Sequence, residues 1–252
     1  MQKTILLTRP DNRGQEIHQK LSKLGYQVFS IPCLAIEPRD WTQDTLGKIN
    51  SLQDYQIIIF VSVNAVECFF RYCAELPSLL HTKFLAIGKQ TAASLHQFGI
   101  KDVIFPTSEF NQNSESFIGL EELQNIKNSK VLLVRGDQGR KYISTYLLEN
   151  DAELTELIVY TTHSPAGLDV SLKQFCFTLE QEEQRALSVL ITSEQILINF
   201  TKNISKKYLP QILNCRLIVI SERIADSARA LGYQNIFITN TMNEDSIIAM
   251  IG

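Results

Sequence analysis

"AIGKQTAASLHQFG", residues 86–99, and "VISERIADSARALG", residues 219–232, decide how the rest of the chain is read. Laid over one another, Ile87 falls on Ile220, Ala92 on Ala225, Ser94 on Ser227 and Gly99 on Gly232. In each, a short apolar run meets a small residue (Gly88 or Ser221), then a polar first turn, then a helix-like segment closed by glycine. Glycine is the residue that most readily takes the left-handed conformation past a helix end. The match continues: "IKDVIFPTSEFNQNSESFI" (100–118) against "YQNIFITNTMNEDSIIAMI" (233–251) is twice a short strand, a polar loop and an apolar helix.

Two further pairs keep the same order. "ILLTRP" (5–10) matches "VLLVRG" (131–136), with Arg9 on Arg135. "IFVSVNAVECFF" (59–70) matches "LITSEQILINF" (190–200), with Ser62 on Ser193. The chain therefore reads as two related halves, 1–128 and 129–252. Its strands are unbroken apolar runs such as "ILL", "IIIFV", "VLLV" and "LIVI". Continuous apolarity means burial on both faces, so the expected fold is α/β, with parallel, doubly wound sheets covered by helices. Asp11 or Asn12 can cap the first helix, and Gly25 can close it. Two places break the alternation, "IPCLAIEPRDW" (31–41) and "VYTTHSPAGLD" (159–169). Both read as extended linkers, able to pair as a two-stranded ribbon.

The bulk numbers fit. The 252 residues allow one large domain or two small ones. A net charge of −3 argues against nucleic acid as the main partner. No apolar run is long enough to span a membrane, and "MQKTILLTRP" lacks the layout of a secretory leader. The five cysteines form no C-x-x-C pair and the four histidines show no ligand spacing, so reduced thiols in the cytoplasm and no metal are expected.

A strand, a glycine and a helix also suggest a nucleotide loop, but the details fail. A Walker loop needs an earlier glycine and a hydroxyl after its lysine, and a dinucleotide loop needs three glycines; here only Gly88-Lys89-Gln90-Thr91 is present. Two readings remain: a glycine that merely permits a tight turn, or a helix N-terminus whose free N–H groups suit some other anion. The same geometry is expected after Ser62, Gly136, Ser193 and Ser221, with Arg9, Lys89, Arg135, Arg140 and Arg223 as nearby cations. Ser62, Asn64 and Ser193 are equally suited to capping their own helices.

In "ILLTRP", "FVSVNAV" (60–66), "AIGKQTAASL", "VRGDQGRKYISTYLLENDAEL" (134–154), "IVYTTH" (158–163) and "ITSEQI" (191–196), the whole chain resembles the uroporphyrinogen-III synthase family. The resemblance implies two flavodoxin-like domains joined by a two-stranded linker. Residues 1–35 and 166–252 would form one and 36–165 the other, with linkers near 32–38 and 159–166. The repeat supports this division, because each linker falls inside a half. The implied reaction is cyclisation of hydroxymethylbilane, a linear polycarboxylate tetrapyrrole, with inversion of the last ring, loss of water and no cofactor. The resemblance also assigns Tyr160 a part in the departure of the hydroxyl, as a hydrogen-bond donor or acid. It further implies a monomer, with transient contact to hydroxymethylbilane synthase as the partner interaction. "SERI" (221–224) departs from the family's glycine and hydroxyl pattern, and Arg223 would substitute charge there. A non-catalytic small-molecule binder of the same fold is the second reading.

Overall fold

The computed structural model describes residues 3–10, 15–71, 73, 81–107, 114–139, 141–181, 186–239 and 244–251. The first half contains β1 (Lys3–Leu7), α1 (Gln15–Lys23), β2 (Gln27–Ser30), β3 (Ala35–Pro38), α2 (Gln43–Asn50), β4 (Ile57–Phe60), α3 (Val63–Phe70), β5 (Lys83–Ala86), α4 (Lys89–Gln97), β6 (Val103–Ile104) and α5 (Ser114–Ile118). The second contains β7 (Lys130–Gly136), α6 (Tyr142–Glu149), β8 (Glu153–His163), α7 (Leu168–Gln181), β9 (Ala186–Ile191), α8 (Glu194–Asn203), α9 (Leu209–Leu213), β10 (Arg216–Val219), α10 (Glu222–Ala230), β11 (Asn235–Ile238) and α11 (Glu244–Ile251).

The chain folds as two compact units, Met1–Ala35 with His163–Gly252, and Ile36–Thr162. The first holds a five-stranded parallel sheet in the order β2-β1-β9-β10-β11. The second holds a six-stranded sheet, β3-β8-β7-β4-β5-β6. From β8 to β6 its strands are parallel. Read from β8, the second sheet repeats the order of the first, which is the flavodoxin-like arrangement. The repeat partners occupy equivalent places: β1 and β7, β9 and β4, β10 and β5, β11 and β6. Each unit thus takes its first two strands from one half of the sequence and its last three from the other.

Burial on both faces explains the unbroken apolar runs. In β4, Ile58 and Phe60 pack with Phe69, Phe70 and Leu95 on one face, while Ile57 and Ile59 pack with Phe117, Ile143 and Leu147 on the other. In unit 1, Leu6, Val189 and Leu217 meet α7, α8 and α10, while Ile5, Leu7, Leu190 and Ile218 meet α1 and α11. Fully burying a side chain of this size stabilises by about 1.5–3 kcal/mol, so these layers dominate the fold.

The matched helices end alike. Gly99 (φ +86°) and Gly232 (φ +95°) both lie in the left-handed region. Beyond them, Ile100 N–H bonds to Leu95 O and Tyr233 N–H to Ala228 O. Asp11 and Asn12, the expected caps of α1, lie outside the described residues.

The two extended segments do lie side by side, with β3 next to β8, but both are strands of unit 2's sheet. β8 runs unbroken through Tyr160 to His163, where a linker from residue 159 was expected. Leu157, Ile158 and Tyr160 keep pairing with β7, and the first proline, Pro165, comes only after His163.

Candidate functional site

In a parallel sheet every strand ends on the same edge, and that edge is where α/β proteins bind ligands. In unit 2 the ends of β5, β4 and β7 are level: Ile87 N–H bonds to Phe60 O at 3.1 Å and Val61 N–H to Val134 O at 3.3 Å. Gly88, Ser62 and Gly136 therefore stand at neighbouring positions along one edge.

Ser62 caps α3, its Oγ accepting from Ala65 N–H at 3.0 Å. The same oxygen lies 3.1 Å from the hydroxyl of Tyr160. Asn64 follows in the first turn of α3. Gly88 is the N-cap of α4, but its φ of −175° is extended backbone open to any residue, so it is not there for conformational freedom. What glycine contributes is a bare cap, since no side chain accepts from the first turn of α4. Lys89 and Gln90 are exposed there, while Thr91 is buried.

Tyr160 is 8% exposed. Its aim comes from an irregularity in the sheet. Arg135 pairs with Ile158 but Gly136 pairs with Tyr160, so the register slips by one residue. Alternation along β8 turns Leu157 and Val159 to the α3–α4 face, which would send Tyr160 to the other. The slip returns Tyr160 to the face of Leu157 and Val159, where Ser62 waits. Bulges commonly re-aim a side chain in this way. Opposite the ring stands Gly136: a Cβ there would lie 2.4 Å from Tyr160 Cε2, so any other residue would have to displace the ring. Burial raises the Tyr160 pKa above 10.0; the Ser62 hydrogen bond and Arg135 oppose this, while Cys68 and Asp137 add to it. At neutral pH the phenol keeps its proton and can donate it.

Arg135, expected as a ligand contact, is 5% exposed and engaged within unit 2. Its Nε donates to Gly136 O at 3.0 Å, its Nη1 to Glu156 at 3.3 Å and to Ser144 Oγ at 3.4 Å, and its Nη2 to Gly139 O at 3.4 Å. Ser144 in turn donates to Glu156. The guanidinium thus shapes the turn after β7. Arg140 lies outside the described residues.

Unit 1 carries the equivalent edge. Thr8 donates to the carbonyl of Leu190, and Arg9 follows it, half-buried. Ser193 caps α8, accepting from Ile196 N–H at 3.2 Å, and Ser221 caps α10, accepting from Ile224 N–H at 3.5 Å. Arg223, expected to offer charge to a ligand, pairs with Glu194, which also accepts from Ser227 at 2.8 Å. Both side chains are on surface helix turns, where such a pair forms readily. The expected residues thus gather on two edges, one per unit. Sequence reasoning missed Asp137, Glu156 and Glu194. Glu194 has a trace in the sequence, a Ser-Glu step repeated at 193–194 and 221–222; Glu156 has none.

All five cysteines are buried and unpaired in disulfides. Among the described residues no cluster of three or more His, Cys, Asp or Glu is placed to hold a metal ion, and no helix is long and apolar enough to cross a membrane.

Fold and edges together define a two-unit, doubly wound α/β protein with helix N-termini lined along each sheet. The sequence model of the family described as Uroporphyrinogen-III synthase HemD matches residues 15–249, and the chain belongs to this family. A uroporphyrinogen-III synthase of Escherichia coli is 27% identical over 258 residues, covering 97% of this chain and 98% of that one. Among solved structures, a mutant uroporphyrinogen III synthase of Thermus thermophilus aligns with a TM-score of 0.67 at 14% identity, over 98% of this chain and 96% of that one. The enzyme of Helicobacter pylori aligns with a TM-score of 0.62 at 15% identity, over 99% of each chain.

Proposed function

We propose that the chain is a uroporphyrinogen-III synthase that cyclises hydroxymethylbilane with inversion of the terminal ring. Beyond family membership, the observation that carries this reading is the Tyr160 hydroxyl, turned by the slip in β8 toward Ser62 among the helix N-termini of unit 2. The chemistry asks for a proton donor at the departing hydroxyl. The C–O bond breaks, water leaves with the donated proton, and the far terminal pyrrole forms the ring-closing C–C bond to the carbon left electron-poor, shedding a proton that restores the donor. A neutral, buried phenol is suited to give that proton or hydrogen bond.

The substrate's carboxylates need positive partners. A helix dipole supplies about 0.3–1 kcal/mol each at an exposed end, against the roughly 8 kcal/mol of micromolar binding. Charge-assisted hydrogen bonds, at about 1.5–3 kcal/mol each, contribute the larger share. The bare cap at Gly88, with Lys89 beside it, is the first candidate for a carboxylate in unit 2; Arg9 is the candidate in unit 1. Ser193, Ser221 and Asn64 line the same edges. Arg135 and Arg223 act through the geometry they hold, since their charges are matched by Glu156 and Glu194.

The test is to supply hydroxymethylbilane and separate the isomers formed. Conversion to the type III macrocycle is expected; the spontaneous type I product alone would end the proposal. Tyr160→Phe is expected to lower kcat by roughly a hundredfold rather than abolish it, since general acid assistance is worth about 10² at the low end of its range.

A further inference from the structure

The slip that aims Tyr160 is held by a residue the functional reading does not use. β7 ends at Gly136, yet two more hydrogen bonds continue its pairing with β8, and Asp137 makes both. Its backbone N–H donates to Tyr160 O at 3.0 Å. Its carboxylate Oδ1 accepts from Thr162 N–H at 3.2 Å, standing in for the backbone carbonyl of a strand that has already turned away. On the other side of β8, Arg39 N–H bonds to the carbonyl of Val159, the residue left over by the slip. Arg135, bonded to the carbonyls of Gly136 and Gly139, braces the turn that brings Asp137 into place.

We propose that Asp137 is a positioning residue for Tyr160: through its N–H and its carboxylate it extends the β7–β8 pairing past the slip and fixes the direction of the tyrosine ring. The inference rests on the role given to Tyr160 above. A surface aspartate serving only solubility would have no reason to bond the backbone on both sides of Thr161, at the carbonyl of Tyr160 and the N–H of Thr162. Tyr160 is the first residue past the slip, so the direction of its ring depends on the pairing that follows, and a one-residue change of register would turn it to the other face. Losing the pin lets Tyr160 leave Ser62, and reacting groups misplaced by an ångström lose catalytic rate with little effect on binding.

The experiment uses the full chain with Asp137→Ala and Asp137→Asn. Asparagine keeps an oxygen that accepts from Thr162 N–H; alanine does not. The alanine variant is expected to lose about tenfold in kcat with KM nearly unchanged, the asparagine variant to recover to within about threefold of the unsubstituted chain. Amide hydrogen exchange reads the geometry without turnover. Protection of Thr162 should fall by about tenfold in the alanine variant and persist in the asparagine variant. Unchanged kcat in the alanine variant, or an asparagine variant as impaired as the alanine one, overturns the proposal. If the unsubstituted chain yields only the spontaneous isomer, the functional reading fails, and Thr162 protection still decides whether Asp137 pins the strand.

Discussion

The strand edges of the two units share one topology and differ in what stands on them. In unit 1, Ser193 and Ser221 cap their helices, and Arg223, Glu194 and Ser227 bond to one another across the two. In unit 2 the equivalent of Ser221 is Gly88, with no capping side chain, and the equivalent of Pro10 is Gly136, against which Tyr160 lies. The hydroxyl of Ser62 is shared between its helix and Tyr160, where that of Ser193 serves its helix. The same fold therefore presents a cap filled by serine in unit 1 and a cap without a side chain in unit 2. Topology fixes where such edges stand, and single residues decide what each one offers.

The largest expected effect separates the units by pH. Burial pushes the thiols of Cys33 and Cys215 up to about 12 and that of Cys176 to about 11, all in unit 1, from an ordinary 9.0. In unit 2 Cys73 is raised by the same cause. The unfolded chain loses these protons first. The stabilisation is therefore complete below about pH 9 and is lost as pH rises toward the folded values. By about pH 10 each unit 1 thiol should have cost roughly 1.4 kcal/mol, close to 4 kcal/mol in sum. Urea melts at pH 7 and 10, followed by amide exchange in each unit, should show unit 1 weakening more; equal loss would show that the thiols are not the cause.

Next is Gly136→Ala. The added methyl meets the Tyr160 ring and moves it, so kcat should fall about a hundredfold, with a stability loss of about 1–3 kcal/mol. Thermal melts and turnover of hydroxymethylbilane measure both, and a variant of normal activity would show that the ring's place does not matter. Smaller is the contrast between Ser62→Ala and Ser193→Ala. Each loses a cap worth about 1 kcal/mol, but only the first should also lower kcat, by about tenfold; equal activities would erase the distinction between the edges. The smallest effect is that of Gly88→Ser, which copies unit 1. It should stabilise by only a few tenths of a kcal/mol while raising KM about threefold, since a filled cap competes with a substrate carboxylate. An unchanged KM would remove the bare cap from the binding surface.

Several of these features were legible in the sequence because they are local. Gly99 and Gly232 marked helix ends because a left-handed residue past a helix is most often glycine. Ser62, Ser193 and Ser221 stood where apolar strand runs gave way to helix, and each is a cap. Arg135 misled: an arginine between strand and glycine looks like an anion site, and its partner Glu156 comes from a neighbouring strand, with nothing in "TEL" to announce it. Tyr160 was recognised but placed in a linker, because "VYTTHSP" shows its proline and not the pairing that keeps it in the sheet.

The sequence by itself determined the duplication, the parallel sheets and the positions of the helix starts, because burial on both faces and the termini of helices leave their mark on consecutive residues. Only the tertiary structure decided which charges are already matched and which way Tyr160 points. The Arg135–Glu156 pair and the direction of Tyr160 depend on the register between β7 and β8, where a shift of one residue reverses every side chain beyond it while leaving the sequence of each strand as it was; the Arg223–Glu194 pair depends on α8 and α10 lying side by side.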